Sequence, residues 1–162
     1  MEEELTPRTP AEADLVGLCA ALNAQGARYL VVGGMAVLLH GFLRATEDID
    51  LLLETSRDNQ NRIRRALEIL PDKAVLEMKD DDLDEYGVVR VADEIQVDLM
   101  MSACGITYEQ AKDEIEYAVI NGVQIPFASA KLLLRMKQTC REKDIPDRIF
   151  LQEKLLSESA KQ

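Results

Sequence analysis

Residues 29–54 read YLVVGGMAVLLHGFLRATEDIDLLLE. The apolar, β-branched run at 29–32 predicts a short buried strand, and residues 35–39 predict a short helix. Gly33 and Gly34 join these two elements. A strand that passes through two glycines into a helix brings backbone N–H groups close enough to bind an anion. A larger residue at Gly34 is therefore expected to block the anion and leave the fold intact.

A second strand is predicted at 48–54, where charged and apolar residues alternate. Because side chains alternate along a strand, Asp48 and Asp50 share one face. A third carboxylate is expected from Asp98, which lies in another predicted strand at 95–101. Two carboxylates on one strand and a third on its neighbour are able to hold one or two Mg²⁺ ions against phosphate oxygens.

The rest of the chain predicts helices and hairpins around these strands. The helices are expected from Pro10 to Gly26 with Thr9 as the cap, at 57–70 after Ser56, from Thr107 onward, from Ser129 to about Arg141, and from Pro146 to about Leu156. The hairpins are expected to join 88–91 with 95–101, and 118–120 with 123–125 around Asn121-Gly122. The acidic run at 80–85 is expected to be a solvated loop. This order fits one mixed sheet flanked by helices.

The composition predicts one compact acidic domain. The chain has 162 residues, which fit a single domain at 1–162 with its core at about 29–125 and C-terminal helices at about 129–157. The formal net charge of −11 disfavours strong binding to duplex nucleic acid, because such binding relies on Lys and Arg at the phosphates. An acidic surface is compatible with a cationic acceptor or a basic partner protein.

Cofactor sites built on cysteine or histidine are not expected. Cys19, Cys104 and Cys140 are widely spaced and form no CxxC pair, which argues against a disulfide framework and against a zinc site. His40 is the only histidine. Residues 1–10 lack the order of a signal peptide, and no apolar run is long enough to span a bilayer. The protein is therefore expected to be cytoplasmic, with no membrane segment.

Taken together, the motifs resemble those of a known superfamily. Gly33-Gly34, followed after thirteen residues by Asp48-Ile49-Asp50, resembles the signature of the DNA polymerase β-type nucleotidyltransferases. The fuller string at 32–50 is similar to the small bacterial branch that includes minimal nucleotidyltransferases and the AbiEii-type toxins. The segment Lys137-x3-Arg141-x-Lys143-Asp144-x2-Asp147 is similar to the helical tail common in such domains. The resemblance spans about residues 29–151.

The resemblance implies an α+β (α/β-type) fold, a nucleotidyltransferase palm with a central mixed β-sheet, flanking helices and a helical C-terminal tail. It also implies a reaction that depends on Mg²⁺ or Mn²⁺. In this reaction a nucleoside monophosphate passes from a nucleoside triphosphate to an acceptor, and pyrophosphate is released. By the same resemblance Gly33 and Gly34 cradle the triphosphate, Asp48 and Asp50 bind metal, and Asp98 supplies the third carboxylate and a candidate base.

Two basic residues are further candidates for binding the triphosphate. Lys137 borders the apolar stripe of its predicted helix, so it is either a phosphate ligand in the cleft or part of a solvated cationic face. Arg44 either contacts phosphate or forms a structural ion pair, with Asp48 as one candidate partner.

Other charged or polar residues have simpler interpretations. The arginines at 57–65 are expected to form a solvated helix face instead of a nucleic-acid site. His40 is expected to be a packed helix residue and not a ligand. Asp144 and Asp147 are expected to cap the last helix, and the family resemblance leaves a role in the site open for them.

The motifs favour one function among three. The favoured function is an enzyme that adds a nucleotide to an acceptor, which is a small molecule, a protein or an RNA end. The alternative is a non-catalytic toxin–antitoxin component or nucleotide-binding module that keeps the fold, and the presence of all three carboxylates counts against it. A metal-binding α/β domain without transfer chemistry is disfavoured by Gly33-Gly34.

Overall fold

The computed structural model describes residues 6–137 and 144–160, which form a mixed β-sheet with helices packed around it. The helices are α1 (Glu12–Ala24), α2 (Gly33–Leu39), α3 (Arg57–Leu67), α4 (Asp82–Tyr86), α5 (Tyr108–Ala111), α6 (Ala130–Met136) and α7 (Ile145–Ala160). The strands are β1 (Tyr29–Val32), β2 (Ile49–Leu53), β3 (Val88–Ala92), β4 (Gln96–Met100), β5 (Ser102–Ala103), β6 (Ile106–Thr107), β7 (Ile115–Ile120) and β8 (Val123–Ala128).

Six of these strands form one sheet in the order β3-β4-β2-β1-β8-β7. β1 runs antiparallel to β2 and parallel to β8, whereas β2 runs parallel to β4. β3 and β7 lie at the two edges, and each is antiparallel to its hairpin partner. β5 and β6 form a separate two-stranded hairpin. The expectation of a central mixed sheet with flanking helices is therefore confirmed.

The central strands β1 and β2 are apolar except for one residue. All four residues of β1 are buried, and in β2 only Asp50 is partly exposed. Burial of a large aliphatic side chain contributes about 1.5–3 kcal/mol, so Leu30 and Leu51, which are both fully buried, help to fix the register. A slip of one residue would turn every side chain of a strand to the other face. The register is therefore also what sets the direction of Asp50.

Helices hold distant segments of the chain against this sheet. α1 contacts α3 and β8, and its Leu15 and Leu22 are fully buried in the core. α2 packs on β1, β2 and α6, and α6 in turn contacts α7. Because α2 begins at Gly33, this packing fixes the glycine pair relative to the C-terminal helices. Within the described ranges, no helix is both long and apolar enough to cross a membrane.

Several local expectations are confirmed. Ser56, Thr107 and Ser129 each accept a backbone N–H bond at the start of the helix that follows. Asn121 and Gly122 have φ angles of 51° and 77°. A two-residue type I′ turn requires positive φ at both positions, so this turn joins β7 to β8 as predicted.

Other local expectations are wrong. α1 begins after Ala11 rather than after Thr9, because the Asp14 side chain accepts the Ala11 N–H at 2.7 Å. The acidic run is not wholly a loop, since Asp82–Tyr86 forms α4. Carboxylates in the first turn of a helix interact favourably with its positive end. β8 also continues through Pro126, where the sequence predicted that the strand had ended.

The C-terminal helices differ in length from the prediction. α6 ends at Met136, with Lys137 in the C-cap position. The predicted extension to Arg141 lies outside the described residues, as do Cys140 and Lys143. α7 spans Ile145–Ala160 and is longer than expected.

The turn between β3 and β4 depends on Asp93, a buried carboxylate. Its two oxygens accept backbone N–H bonds from Asp72, Ala74 and Glu94 at 2.7 to 3.0 Å. Burial alone would raise the pKa of Asp93, but the bonds from these three N–H groups outweigh burial and lower it. The ionised carboxylate therefore stabilises the hairpin that carries Asp98.

Asp93→Ala is expected to reduce the free energy of unfolding by about 1–3 kcal/mol near pH 7, because buried backbone donors lose their acceptor. Since the pKa of Asp93 is lower in the folded state, its stabilising effect is present above the unfolded pKa and is lost as the pH falls through the folded pKa. Urea unfolding near neutral pH and in acid measures both effects. A difference between wild type and variant that does not shrink in acid would contradict this role.

Candidate active site

A cleft of about 600 Å³ opens over the part of the sheet that carries the acidic residues. Its walls come from the end of β1, the segment before β2, the turn that follows β5, and the end of α6. The residues predicted for the site from sequence all line this cleft: Gly33, Gly34, Arg44, Asp48, Asp50, Asp98 and Lys137.

Asp48, Asp50 and Asp98 meet in this cleft. Asp50 of β2 lies directly beside Asp98 of β4 in the parallel register, and Asp48 immediately precedes β2. One oxygen from each of the three carboxylates lies within 4.8 Å of the others. The alternation of side chains along two neighbouring strands is thus enough to bring the three carboxylates together.

Two of these carboxylates hold a proton more tightly than an isolated aspartate does. Burial, followed by the charges of Asp48 and Asp98, raises the pKa of Asp50 to about 7. Burial and the charge of Asp98 likewise raise the pKa of Asp48. The positive charge of Lys137 acts in the opposite direction on Asp50. The site therefore concentrates negative charge that a bound cation would offset.

Two residues that the motifs do not predict contact the acidic cluster. Arg90 of β3 lies opposite Asp98, and its Nε and Nη2 donate to the two carboxylate oxygens at 3.1 and 3.3 Å. Gln96 Nε2 donates to Asp48 Oδ2 at 3.3 Å. The predicted hairpin could have identified Arg90, because the residue of β3 that lies across from Asp98 must share its face of the sheet.

Gly33 and Gly34 lie at the start of α2, close to other parts of the protein. Gly33 has a φ of 68°, and a Cβ at this position would lie 2.2 Å from Asp50 Oδ2. A Cβ on Gly34 would lie 2.6 Å from Thr46 Oγ1. A larger residue at Gly34 must therefore displace the Thr46 side chain, which counts against the expectation that it leaves the fold intact. Glycine at 33 also lets the Asp50 carboxylate approach the backbone closely.

Lys137 and Arg44 are both held by carboxylates near the start of α7. Lys137 Nζ lies 3.0 Å from Asp144 Oδ1 and 3.3 Å from Asp147 Oδ2. Arg44 Nη2 donates to the same Asp147 oxygen at 2.8 Å. Arg44 thus pairs with Asp147 and not with Asp48, and Lys137 is buried instead of lying on a solvated face. Asp144 and Asp147, expected as helix caps, bind these two cations.

His40 and the arginines of α3 lie outside the cleft. His40 Nε2 lies 2.8 Å from the Ala128 carbonyl oxygen and its ring packs edge-on against Phe127, which confirms a packed residue. Three arginines of α3 form surface ion pairs, Arg57 with Asp84, Arg62 with Asp58, and Arg64 with Asp80, and Arg65 donates to the Gln25 side chain. Cys19 and Cys104 are free thiols.

The acidic cluster fits a divalent metal ion. Mg²⁺ prefers oxygen ligands, and each aspartate of the cluster offers an oxygen toward the same small volume. Burial and the neighbouring carboxylates raise the pKa of Asp50, as expected where negative charges outnumber the cations around them. In the part of the chain that the structure describes, no other group of three acidic, histidine or cysteine side chains is arranged in this way.

This fold and this acidic cleft correspond to the nucleotidyltransferase class that the motifs resemble. The sequence profile of the family described as nucleotidyl transferase AbiEii toxin, of the type IV toxin–antitoxin system, matches residues 17–137. Because this match covers most of the chain, the chain belongs to the AbiEii nucleotidyltransferase toxin family. None of the curated proteins matches the chain in sequence.

Solved structures show a similar fold. The lincosamide antibiotic adenylyltransferase LnuA, in its lincomycin-bound form, is similar to the chain with a TM-score of 0.53 and 15% sequence identity, over 90% of this chain and 98% of LnuA. An antigenic nucleotidyltransferase-like protein from Paracoccidioides brasiliensis is similar with a TM-score of 0.49 and 20% identity, over 85% of this chain and 73% of that protein. The similarity to LnuA confirms the predicted fold class and leaves the substrate to be argued from the site.

The raised pKa of Asp50 predicts an unusual dependence of stability on pH. Its folded pKa of about 7 lies above the unfolded value, so its contribution is fully present in acid and is lost as the pH rises through 7. Without divalent cations, Asp50→Asn is expected to stabilise the protein near pH 8 by roughly 2–4 kcal/mol, since each pKa unit is worth about 1.4 kcal/mol.

Unfolding in the presence of a chelator, from about pH 4 to pH 8, measures this effect. Asp113→Asn, which changes an exposed carboxylate outside the cleft, serves as the control and should follow the wild-type curve. Parallel curves for wild type and Asp50→Asn would show that Asp50 is an ordinary ionised carboxylate.

Proposed function

We propose that the protein transfers a nucleoside monophosphate from a nucleoside triphosphate to an acceptor, in a reaction that depends on Mg²⁺ or Mn²⁺ and releases pyrophosphate. The main support is the convergence of Asp48, Asp50 and Asp98 in one cleft. The glycine pair that opens α2 lines the same cleft. Membership of the AbiEii family supports the same type of reaction.

In this proposal Asp48, Asp50 and Asp98 hold the metal ion. When bound, such an ion binds phosphate oxygens and stabilises the leaving pyrophosphate. Arg90 keeps the Asp98 carboxylate in place through two hydrogen bonds, and Gln96 does so for Asp48 through one. These contacts hold the carboxylates in their cleft-facing positions before any ligand arrives.

The triphosphate binds, in this proposal, to Gly33, Gly34, Arg44 and Lys137. The glycines offer backbone N–H groups near the start of α2, and all four residues line the cleft. Arg44 and Lys137 lie close together, because both contact one oxygen of Asp147. Hydrogen bonds from a cation to phosphate are roughly twice as strong as neutral ones, so these two residues favour the triphosphate over an uncharged nucleoside.

The transfer step forms one bond to phosphorus and breaks another. An acceptor hydroxyl oxygen attacks the α-phosphorus, and the bond from that phosphorus to the bridging oxygen of the pyrophosphate breaks. Asp98 accepts the proton of the hydroxyl group as a general base. The acceptor is a small molecule, a protein or an RNA end, since the net charge of −11 disfavours a long duplex.

Transfer is tested by incubating the protein with each labelled nucleoside triphosphate, Mg²⁺ and host lysate, followed by sizing of the labelled product. We expect one size class of acceptor to acquire label with the wild type and none with Asp48→Asn/Asp50→Asn. Absence of label with every triphosphate would contradict an active transferase and favour a non-catalytic nucleotide-binding module.

Triphosphate binding is expected to require Mg²⁺ or Mn²⁺, because the aspartate cluster repels a polyphosphate unless a cation lies between them. Calorimetry with the ion and with a chelator gives the ratio of the two affinities. We expect a ratio of about a hundred or more for the wild type, equivalent to roughly 3 kcal/mol.

In Asp48→Asn/Asp50→Asn this ratio should fall to about one, since the ligands of the ion are lost while the fold is kept. Asp113→Asn should keep the wild-type ratio, because that exposed carboxylate lies outside the cleft. Equal affinity of the wild type in both conditions would argue against a nucleotide bound through a metal ion.

A further inference from the structure

A largely buried cluster beside the cleft consists of two cations, Arg44 and Lys137, and two carboxylates, Asp144 and Asp147. Asp147 is fully buried and Asp144 is 1% exposed, while Lys137 is 8% exposed. The Arg44 side chain is 32% exposed and reaches this cluster from the segment before β2. The cluster thus joins the first part of the chain to α7, although α7 itself carries none of the three cleft carboxylates.

Asp147 uses one oxygen for both cations. Arg44 Nη2 lies 2.8 Å and Lys137 Nζ lies 3.3 Å from Asp147 Oδ2. The other oxygen, Oδ1, is buried and has no hydrogen-bond partner among the described residues. The recorded polar contacts of the Asp147 side chain are therefore those with the two cations, so a purely helix-capping role describes this residue poorly.

Each of the two cations also lies next to a part of the cleft. Arg44 is close to the glycine pair, since a Cβ on Gly34 would lie 3.1 Å from Arg44 Nη2. Lys137 lines the cleft together with the three carboxylates of the acidic cluster. A single buried carboxylate thus fixes one cation at the glycine pair and another beside the acidic cluster.

We propose that Asp147 is a positioning residue that sets the places of Arg44 and Lys137 for the β- and γ-phosphates of the nucleotide. This inference rests on the proposed function and deepens it, because it assigns a role in substrate selection to a residue of the C-terminal helix. Asp147 does not itself contact the nucleotide. It acts through the two cations, and through them it favours a triphosphate over a monophosphate.

Two effects of Asp147 on phosphate binding have opposite signs. Its negative charge weakens the attraction of Arg44 and Lys137 for phosphate, whereas its oxygen fixes where both cations lie. Without Asp147, Lys137 would be held by Asp144, and the partly exposed Arg44 would lose its ion pair and turn toward solvent. Since a cation oriented in advance forms phosphate bonds at a smaller entropic cost, the loss of orientation outweighs the gain in net charge.

The test compares triphosphate and monophosphate binding in Asp147→Asn, with Mg²⁺ present. Calorimetry is carried out with ATP, GTP, CTP and UTP and with the corresponding monophosphates. We expect affinity for the preferred triphosphate to fall by about tenfold or more, as for a lost charge-assisted bond, and monophosphate affinity to change by about twofold at most. A merely structural role would lower both affinities together.

Asp93→Asn is the matched control, because Asp93 is also a buried carboxylate but does not line the cleft. It should lower stability and leave the ratio of triphosphate to monophosphate affinity unchanged. If Asp147→Asn does not fold, the same affinities are measured in Asp147→Glu, which keeps the charge and displaces the carboxylate oxygen by one methylene. The affinity ratio should fall in this variant too.

Three outcomes would overturn the inference. An unchanged affinity ratio in a folded Asp147 variant would show that the cations need no anchor, and tighter triphosphate binding would show that Asp147 only screens them. A wild-type protein that binds no triphosphate with Mg²⁺ would overturn the proposed function as well. The first two outcomes leave the proposed function standing, so the two failures are distinguishable.

Discussion

The parallel pairing of β2 with β4 is the contact on which the rest of the molecule depends. It places Asp50 beside Asp98, with fully buried Leu51 and Leu99 paired one position further along. The apolar pairs fix the register, and the register sets the direction of the carboxylates. The repulsion between those carboxylates is tolerated because several apolar side chains of the two strands are buried beneath them, each large one contributing about 1.5–3 kcal/mol.

The negative charges gathered by this pairing are offset in part from several parts of the chain. Arg90 comes from an edge strand and Lys137 from the end of α6, and Asp147 of α7 in turn holds Lys137. An uncompensated buried charge is strongly destabilising. Accordingly Asp98 lies against Arg90, and Lys137 lies against Asp144 and Asp147. The C-terminal helices thus belong to the site electrostatically, although the sequence motif with the glycines and the first two aspartates ends at Asp50.

The sequence predicted the parts of this structure that depend on local rules. Alternation along a strand was enough to place Asp48 and Asp50 on one face, and turn chemistry identified Asn121-Gly122. Helix starts were predicted less well, because more than one nearby residue is able to bind the free N–H groups there. At the start of α1 the Asp14 side chain accepts the Ala11 N–H, and the expected Thr9 cap does not form. The partners of Arg44 and Gly34 could not be predicted, because Asp147 and Thr46 reach them only through tertiary packing.

The bond between Arg44 and Asp147 joins residues 103 positions apart, and this separation has a consequence for how the protein matures. Contacts that close long loops lose the most chain entropy, so they form slowly and after local structure. On the ribosome Arg44, Asp48 and Asp50 are made long before α7. Until α7 is made, Arg44 and Lys137 lack the Asp147 carboxylate that holds them. In a toxin family, this order delays completion of the cleft until the C-terminal helix has packed against α6.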